Sequence, residues 1–403
     1  MTTDPQKTLI ATVLPPREGF GPGRIGAVGM IAHRLAAAAP DSAFRSVILC
    51  GEQAGPAFAD VQTHIVHTTW WRPTWWRIGN RNQRYAAAAL PVLRRLSPAL
   101  VEVHNRTEVA LALAAGLADI PVSLILHNDP LTMRQARSVG ERTRLLARLA
   151  RVVTVSEFLR ARLLDGIPAP STPPDVLANC IDLAAIDEAG LARPSARERT
   201  ILFVGRVVPD KGPDAFIAAC AAALPRLPGW RAEIIGADRF RADSPDTDFV
   251  RAIGISAQSA GVALAGYRDH PDVLAAMARA AILVMPSRWQ EPFGLTALEA
   301  MASGAALLCS ARGGLPEVGG DAAIYIDPDD PAGMADAIVA LASDPARLAA
   351  MSVAGRERAR RFDLVPTRRR LDAIRHSILA AAPGRSGCAG LYRHPTPIQP
   401  ERT

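Results

Sequence analysis

Lysine is almost missing: of 46 basic residues in a chain of 403, only Lys7 and Lys211 are lysines. Where arginine is the default cation, a lysine marks a place for a compact point charge rather than a planar fork. Cysteine is sparse as well. The five, at positions 50, 180, 220, 309 and 388, form no CxxC pair, which argues against a disulfide framework or a zinc site and fits a reducing compartment. Long hydrophobic runs are also wanting: the longest weakly polar stretch, residues 109–126, is broken by Asp119 and Pro121, so no transmembrane helix is expected. The opening MTTDPQKTLIATVLPP is too short in apolar residues for a signal-peptide core and reads as a first buried strand.

What is present suffices for packed cores. The chain is 49% hydrophobic and 21% charged, and its length predicts about two domains. The net charge of +7 is polarised. Residues 1–180 carry 20 basic against 13 acidic side chains, residues 181–354 carry 15 against 22, and residues 355–403 carry 11 against 4. A basic first half and tail suggest one face that meets anions such as phospholipid headgroups or phosphate-bearing substrates.

Short apolar runs alternate with alanine- and leucine-rich helical stretches. Strands are predicted at Leu9–Leu14, Ser46–Cys50, His64–His67, Leu100–Val103, Val122–Leu126 and Val152–Val155. Six more follow at Ile201–Val204, Glu233–Ile235, Val262–Leu264, Ile282–Met285, Ala306–Cys309 and Ala323–Ile326. This repetition is the pattern of parallel, doubly wound α/β sheets, and two runs of six predict two of them. Proline- and charge-rich sequence near 165–200 separates a domain at 1–180 from one at 181–355. An arginine-rich helix is expected over 356–382 and a disordered tail over 383–403. Ligands of such sheets bind beyond the carboxyl ends of the strands, which places a site in the cleft between domains.

Two segments carry chemistry. In MPSRWQEPFGLTALEAMASG, residues 285–304, Glu291 and Glu299 flank a Pro-Phe-Gly turn and a helix start near Leu295. The first backbone N–H groups of that helix face an anion, Glu299 is placed to accept ribose hydroxyls, and Glu291 to hold hydroxyls of a second ring. In FVGRVVPDKG, residues 203–212, Arg206 and Lys211 flank a turn and can converge on one diphosphate. That spacing fits neither GxGxxG nor GxxxxGK(S/T), which disfavours a nicotinamide site or a P-loop there. The plain alternative for each segment is solvated charge on an ordinary strand-to-helix loop.

With these two segments, GGLPEV at 313–318, VSEFLR at 155–160 and LANCIDLAAI at 177–186, the chain resembles the retaining family 4 glycosyltransferases. The resemblance implies a GT-B fold: two doubly wound Rossmann-like domains facing across a cleft, with a C-terminal helix crossing back to the N-terminal domain. It implies a hexose transferred from a nucleotide-sugar donor held chiefly by the C-terminal domain, with configuration retained and neither metal nor other cofactor. Arg206 and Lys211 would neutralise the diphosphate, Glu299 would grip the ribose and Glu291 the sugar. Backbone amides of Phe293, Gly294 and Leu295 would line sugar and phosphate. From the GFGPGRIG segment, Gly23 is the glycine favoured to approach the donor phosphate, although the family usually has adjacent glycines there. Cys180 stands where the family usually has glycine. The pairs Asp246/Asp248 and Asp327/Asp329 read as solvated turn residues rather than metal ligands.

His104 and His127 each follow a buried strand of the first domain and face the cleft. The family's active-site histidine matches His127, where it would touch the donor sugar. Finally, TTWWRPTWWRIGNRNQR, residues 68–84, gathers four of the six tryptophans with four arginines and no acid. Tryptophan at headgroup depth beside arginine suits an interfacial membrane contact and a lipid-linked or polysaccharide acceptor at the cytoplasmic membrane face. Stacking on acceptor sugars or docking of a partner protein are the competing uses, and a glycosyltransferase with a soluble sugar acceptor or a catalytically silent GT-B nucleotide-sugar-binding protein are the alternative functions. No nucleic-acid partner is expected.

Overall fold

Strands of a parallel sheet are covered on both faces, so they run apolar without alternation, and the predicted strands do so. The computed structural model describes residues 7–22, 26–37, 40–53, 55–68, 79–191, 197–239 and 243–381. The first sheet comprises β1 (Thr8–Val13), β2 (Phe44–Gly51), β3 (Thr63–Val66), β4 (Leu100–His104), β5 (Val122–Leu126), β6 (Arg151–Thr154) and β7 (Asp175–Val176). The second comprises β8 (Glu198–Val204), β9 (Arg231–Ile235), β10 (Val262–Gly266), β11 (Ala280–Met285), β12 (Ala306–Ser310) and β13 (Ala323–Ile326). All pairings are parallel, in the orders β3-β2-β1-β4-β5-β6-β7 and β10-β9-β8-β11-β12-β13. Chain order reverses between β1 and β4 and again between β8 and β11. Those two switch points are where a doubly wound sheet binds its ligand.

Every residue of β4, β5, β11 and β12 is buried, whereas the edge strands β10 and β13 are largely open. All twelve predicted strands coincide with observed ones. The addition is β7, two residues long and too short to stand out as an apolar run after the prolines of 168–174.

The helix expected over 356–382 is two helices. One runs Pro345–Ala359, a single 3-10 turn follows at Arg360–Phe362, and a second helix runs Leu364–Ala381. The break falls where Pro366 has no N–H to give the Phe362 carbonyl, and the crossover between domains takes up the groups left free. Ile181 donates its N–H to the carbonyl of Phe362 and accepts from Leu364 N–H, both at 2.9 Å, and Asp363 Oδ1 accepts from Leu183 N–H. Backbone groups engaged with Ile181 cannot continue a helical ladder. The last helix then packs on the first domain. Arg375, 4% exposed, donates Nε and Nη2 to the two carboxylate oxygens of Glu102 on β4 at 2.9 and 2.8 Å, and its guanidinium lies 5.6 Å over the Phe44 ring.

Removing one partner of a pair this buried strands the other charge. Arg375→Ala is expected to destabilise the chain by about 3–5 kcal/mol in urea denaturation, whereas Glu102→Leu with Arg375→Met should recover most of that loss.

Candidate active site

The loops after β8 and β11 meet because glycine lets them. Gly212 has φ +70, and a Cβ on it would fall 2.1 Å from the carbonyl oxygen of Pro286. Beside it, the carbonyl of Asp210 accepts the backbone N–H of Arg288 at 2.9 Å and of Trp289 at 3.0 Å. Arg288 forks onto Asp214 at 2.8 and 3.0 Å and reaches the carbonyl of Pro209. A third loop joins: Gly314 N–H donates to the carbonyl of Glu291 at 2.7 Å and Gly313 N–H to Gln290 Oε1 at 2.8 Å.

At this junction Lys211 Nζ meets Glu291 Oε1 at 2.5 Å, and Ser287 Oγ donates to the same oxygen at 2.7 Å. Glu291 is buried. Its Oε2 has no hydrogen-bond partner among the described residues and is open to a ligand hydroxyl. Arg206 stands half-buried two residues beyond β8. Gly294, φ +105, starts the helix Leu295–Ala302 with no side-chain cap, so its first N–H groups are left for a ligand anion. The Phe293 ring is buried edge-on against Phe362, 5.6 Å between centroids.

Glu299, one turn into that helix, is also buried. His270 Nε2 lies 2.8 Å from its Oε1, and Arg34 Nη2, reaching over from the first domain, lies 3.4 Å from the same atom. Arg34 Nη1 donates to the carbonyl of Cys180 at 2.8 Å. Burial alone would raise the Glu299 carboxyl, but the hydrogen bond and charge of His270 and the charge of Arg34 outweigh it, so the group sits below its ordinary range. It is an anion with one oxygen held and the other available.

Across the cleft, His104 and His127 are both buried, with His104 Nδ1 3.0 Å from His127 Nε2. Between them in sequence, Asn105 takes the left-handed conformation at φ +54, which asparagine tolerates, and its Oδ1 accepts the His127 backbone N–H at 3.1 Å. Burial, then the charge of Arg375, pushes His104 down to about 3, and burial with His104 holds His127 well below its usual value. Both imidazoles are thus held neutral, joined by one hydrogen bond.

The domains are clasped directly beside this site. The Glu317 carboxylate accepts the backbone N–H groups of Glu157 and Phe158 at 2.7 and 2.6 Å, and Ser156 Oγ donates to the carbonyl of Pro292 at 2.6 Å. The structure therefore brings Arg206, Lys211, Glu291, Phe293, Gly294, Leu295 and Glu299 to one face of the second domain, with His127 on an element facing it. Gly23 lies outside the described residues. Asp248, expected in a turn, opens the helix Asp248–Ser259 and pairs with Arg251 one turn on, while Asp329 pairs with Arg288 and Arg312. Among the described residues, no cluster of three or more His, Cys, Asp or Glu side chains is placed to hold a metal ion. Reading the sequence missed Arg34, His270, Ser287 and Glu317. His270 carried a signal of the kind used for His104 and His127, a histidine beyond a strand end. Arg34 carried none, being on a helix 265 residues from its partner.

Two facing Rossmann-like domains with the crossover helix define the GT-B class. Residues 28–185 match the family model "Glycosyltransferase Family 4" and residues 198–344 match "Glycosyl transferases group 1". The chain belongs to the family 4 glycosyltransferases. It is 34% identical over 240 residues to a D-inositol 3-phosphate glycosyltransferase of Segniliparus rotundus, covering 56% of this chain and 51% of the relative. It is 35% identical over 193 residues to the glycogen synthase of Mycobacterium tuberculosis, covering 45% and 43%. The chain thus spans about half the length of these curated relatives. Among solved structures it resembles a sucrose-phosphate synthase from Thermosynechococcus elongatus, with TM-score 0.73, 19% identity and coverage of 93% and 100%. It also resembles the Anabaena protein HepE in complex with UDP, with TM-score 0.70, 17% identity and coverage of 92% and 100%.

The histidine pair gives stability a pH signature. The unfolded chain takes up these protons below its ordinary histidine value of 6.5, and the folded chain does not. Their contribution is therefore full above pH 6.5 and is lost as pH falls toward 3, at up to about 1.4 kcal/mol per pH unit for each ring. Urea denaturation between pH 7.5 and 5 should show this acid slope, and His104→Gln should make it shallower.

Proposed function

We propose that this protein is a retaining glycosyltransferase that moves a hexose from a nucleotide-diphosphate sugar to a lipid-linked or polysaccharide acceptor. One observation carries the reading: Glu291 and Glu299 are buried, each is held through Oε1 by cations of the cleft, and each keeps Oε2 for a ligand. Two fixed carboxylates on either side of a cationic loop and an open helix start match the two hydroxyl-bearing rings and the central diphosphate of such a donor. UDP bound to the structural neighbour HepE and the polysaccharide product named for the glycogen synthase relative support the two substrate classes.

In this reading Glu299 accepts ribose hydroxyls, Glu291 accepts hydroxyls of the sugar, and Arg206 and Lys211 neutralise the diphosphate. The bond between the anomeric carbon and the phosphate oxygen breaks, and a bond to the acceptor oxygen forms on the same face. The acceptor proton passes to the departing phosphate oxygen. The protein contributes position and a preorganised field. His127, neutral, offers its dipole to the sugar.

The acceptor and the place of work rest on Trp70, Trp71, Trp75 and Trp76, which lie outside the described residues, with Arg72 and Arg77. Arg81 and Arg84 follow in the helix Arg81–Leu96, capped by Asn80. Their composition supports contact with the cytoplasmic membrane face. Among the described residues no single helix is long and apolar enough to cross a membrane.

Glu299→Ala is expected to weaken UDP or GDP binding roughly 10- to 100-fold in calorimetry, the loss typical of a hydrogen bond to a charged group, while Glu291→Ala should spare nucleotide binding and abolish sugar transfer. Unchanged turnover in both variants would refute the site. Flotation with phosphatidylglycerol liposomes tests the membrane: the native chain should float, and a variant with the four tryptophans changed to alanine should not.

A further inference from the structure

The first domain holds a second feature that the donor does not use. At the carboxyl ends of β1, β4 and β5 a cavity of about 310 Å³ is lined by Arg17, Arg81, Arg106 and Arg134. Each arginine comes from a different segment: the loop after β1, the start of the helix Arg81–Leu96, the residue before the helix Thr107–Gly116, and the turn after β5. The chain has no local reason to gather them, and like charges repel. The one acid in the lining, Glu108, is already committed, its two oxygens accepting Asn80 Nδ2 at 2.7 Å and Asn82 Nδ2 at 2.6 Å. The nearby Glu18 carboxylate accepts the Gly29 backbone N–H at 2.9 Å. Among the described residues, none of the four guanidinium groups has a carboxylate within ion-pair distance.

Arg106 is the key member. It is half-buried and spends one N–H on the carbonyl of Asn105 at 2.7 Å. Burial lowers its basicity against the partial compensation of Glu18 and Glu108, so an added anion would relieve it. Asn105 is also the residue that holds the His127 backbone, and Thr107 Oγ1 donates to the carbonyl of Arg134. The cavity and the histidine pair are therefore built on the same loop, a few residues apart.

We propose that this cavity binds a phosphate of the acceptor, so that the sugar or polyol to be extended carries a phosphate ester or diphosphate. The proposal rests on the proposed function, in which the donor is held chiefly by the second domain and the first is left to receive the acceptor. Four arginines on one side and the N-terminal ends of two helices fit a multiply charged, oxygen-rich anion. The shared chemistry has two sources, a water-soluble sugar phosphate or the diphosphate that joins a sugar to a lipid.

The test uses the full chain saturated with whichever of UDP and GDP it binds, so that Arg206 and Lys211 are occupied, and titrates pyrophosphate by calorimetry. Binding that weakens with salt is expected, with a loss of roughly tenfold for each guanidinium removed in Arg134→Gln and in Arg17→Gln with Arg134→Gln. Both replaced residues are exposed, so folding is not at stake, and nucleotide affinity should not change. No pyrophosphate binding by the nucleotide-loaded chain, or equal binding by the variants, overturns the proposal. Failure to bind either nucleotide would instead sink the donor reading. Displacement of pyrophosphate by glucose 6-phosphate identifies the soluble source, and by a short-chain prenyl diphosphoglucose the lipid source. Displacement by neither reduces the cavity to an adventitious anion site and also overturns the acceptor assignment.

Discussion

The fork between Arg375 and Glu102 holds the helix Leu364–Ala381 against the centre of the first sheet, and the geometry of the cleft follows from it. The pair is buried on both sides, so neither partner can leave without stranding a charge in a medium that does not solvate it. Because Arg375 lies on the helix that has just left the second domain, the fork ties that domain's exit to β4. The same strand ends at His104, two residues further on. One ion pair therefore sets where the crossover docks, and its positive charge adds to burial in keeping His104 unprotonated.

Interdomain contacts complete the frame close to the chemistry. Glu317 caps the helix Glu157–Leu164 from across the cleft, and Ser156 holds the loop that contains Pro292. Arg34 does so from the far side by reaching Glu299. Glu299 is thus paired across the cleft, and Glu291 within its own domain by Lys211 and Ser287, before any donor arrives. Pairing of this kind keeps buried carboxylates ionised and oriented, so the reorganisation needed on binding is small. In the proposed function this gives the cleft a division of charge, with carboxylates for hydroxyls and cationic side chains for phosphates.

Much of this was legible in the sequence. The strands are apolar on both faces and stand out as runs, and glycine and proline mark the loops that follow β8 and β11. Glu291, Glu299, Arg206 and Lys211 are local in those loops, so motif spacing brings them together on paper as it does in space. What spacing cannot reveal is contact between distant segments. Arg34 with Glu299 and Arg375 with Glu102 look like ordinary helix charges until the domains are assembled. The same holds for the arginines around the first-domain cavity, which come from four separate segments. The break at Arg360–Phe362 did carry a signal, Pro366, whose missing N–H leaves the Phe362 carbonyl for Ile181, but the arginine-rich sequence on either side reads as one helix.

The central claim is that the cleft transfers a sugar with retention through the Glu291–Lys211 centre. Time-resolved proton NMR of the full chain turning over UDP-glucose or GDP-mannose, with water as the slow acceptor, reads this directly. The account predicts that the first sugar formed has the α configuration of the donor and that Glu291→Ala stops its formation. A first-formed β sugar, or undiminished turnover in Glu291→Ala, would contradict it.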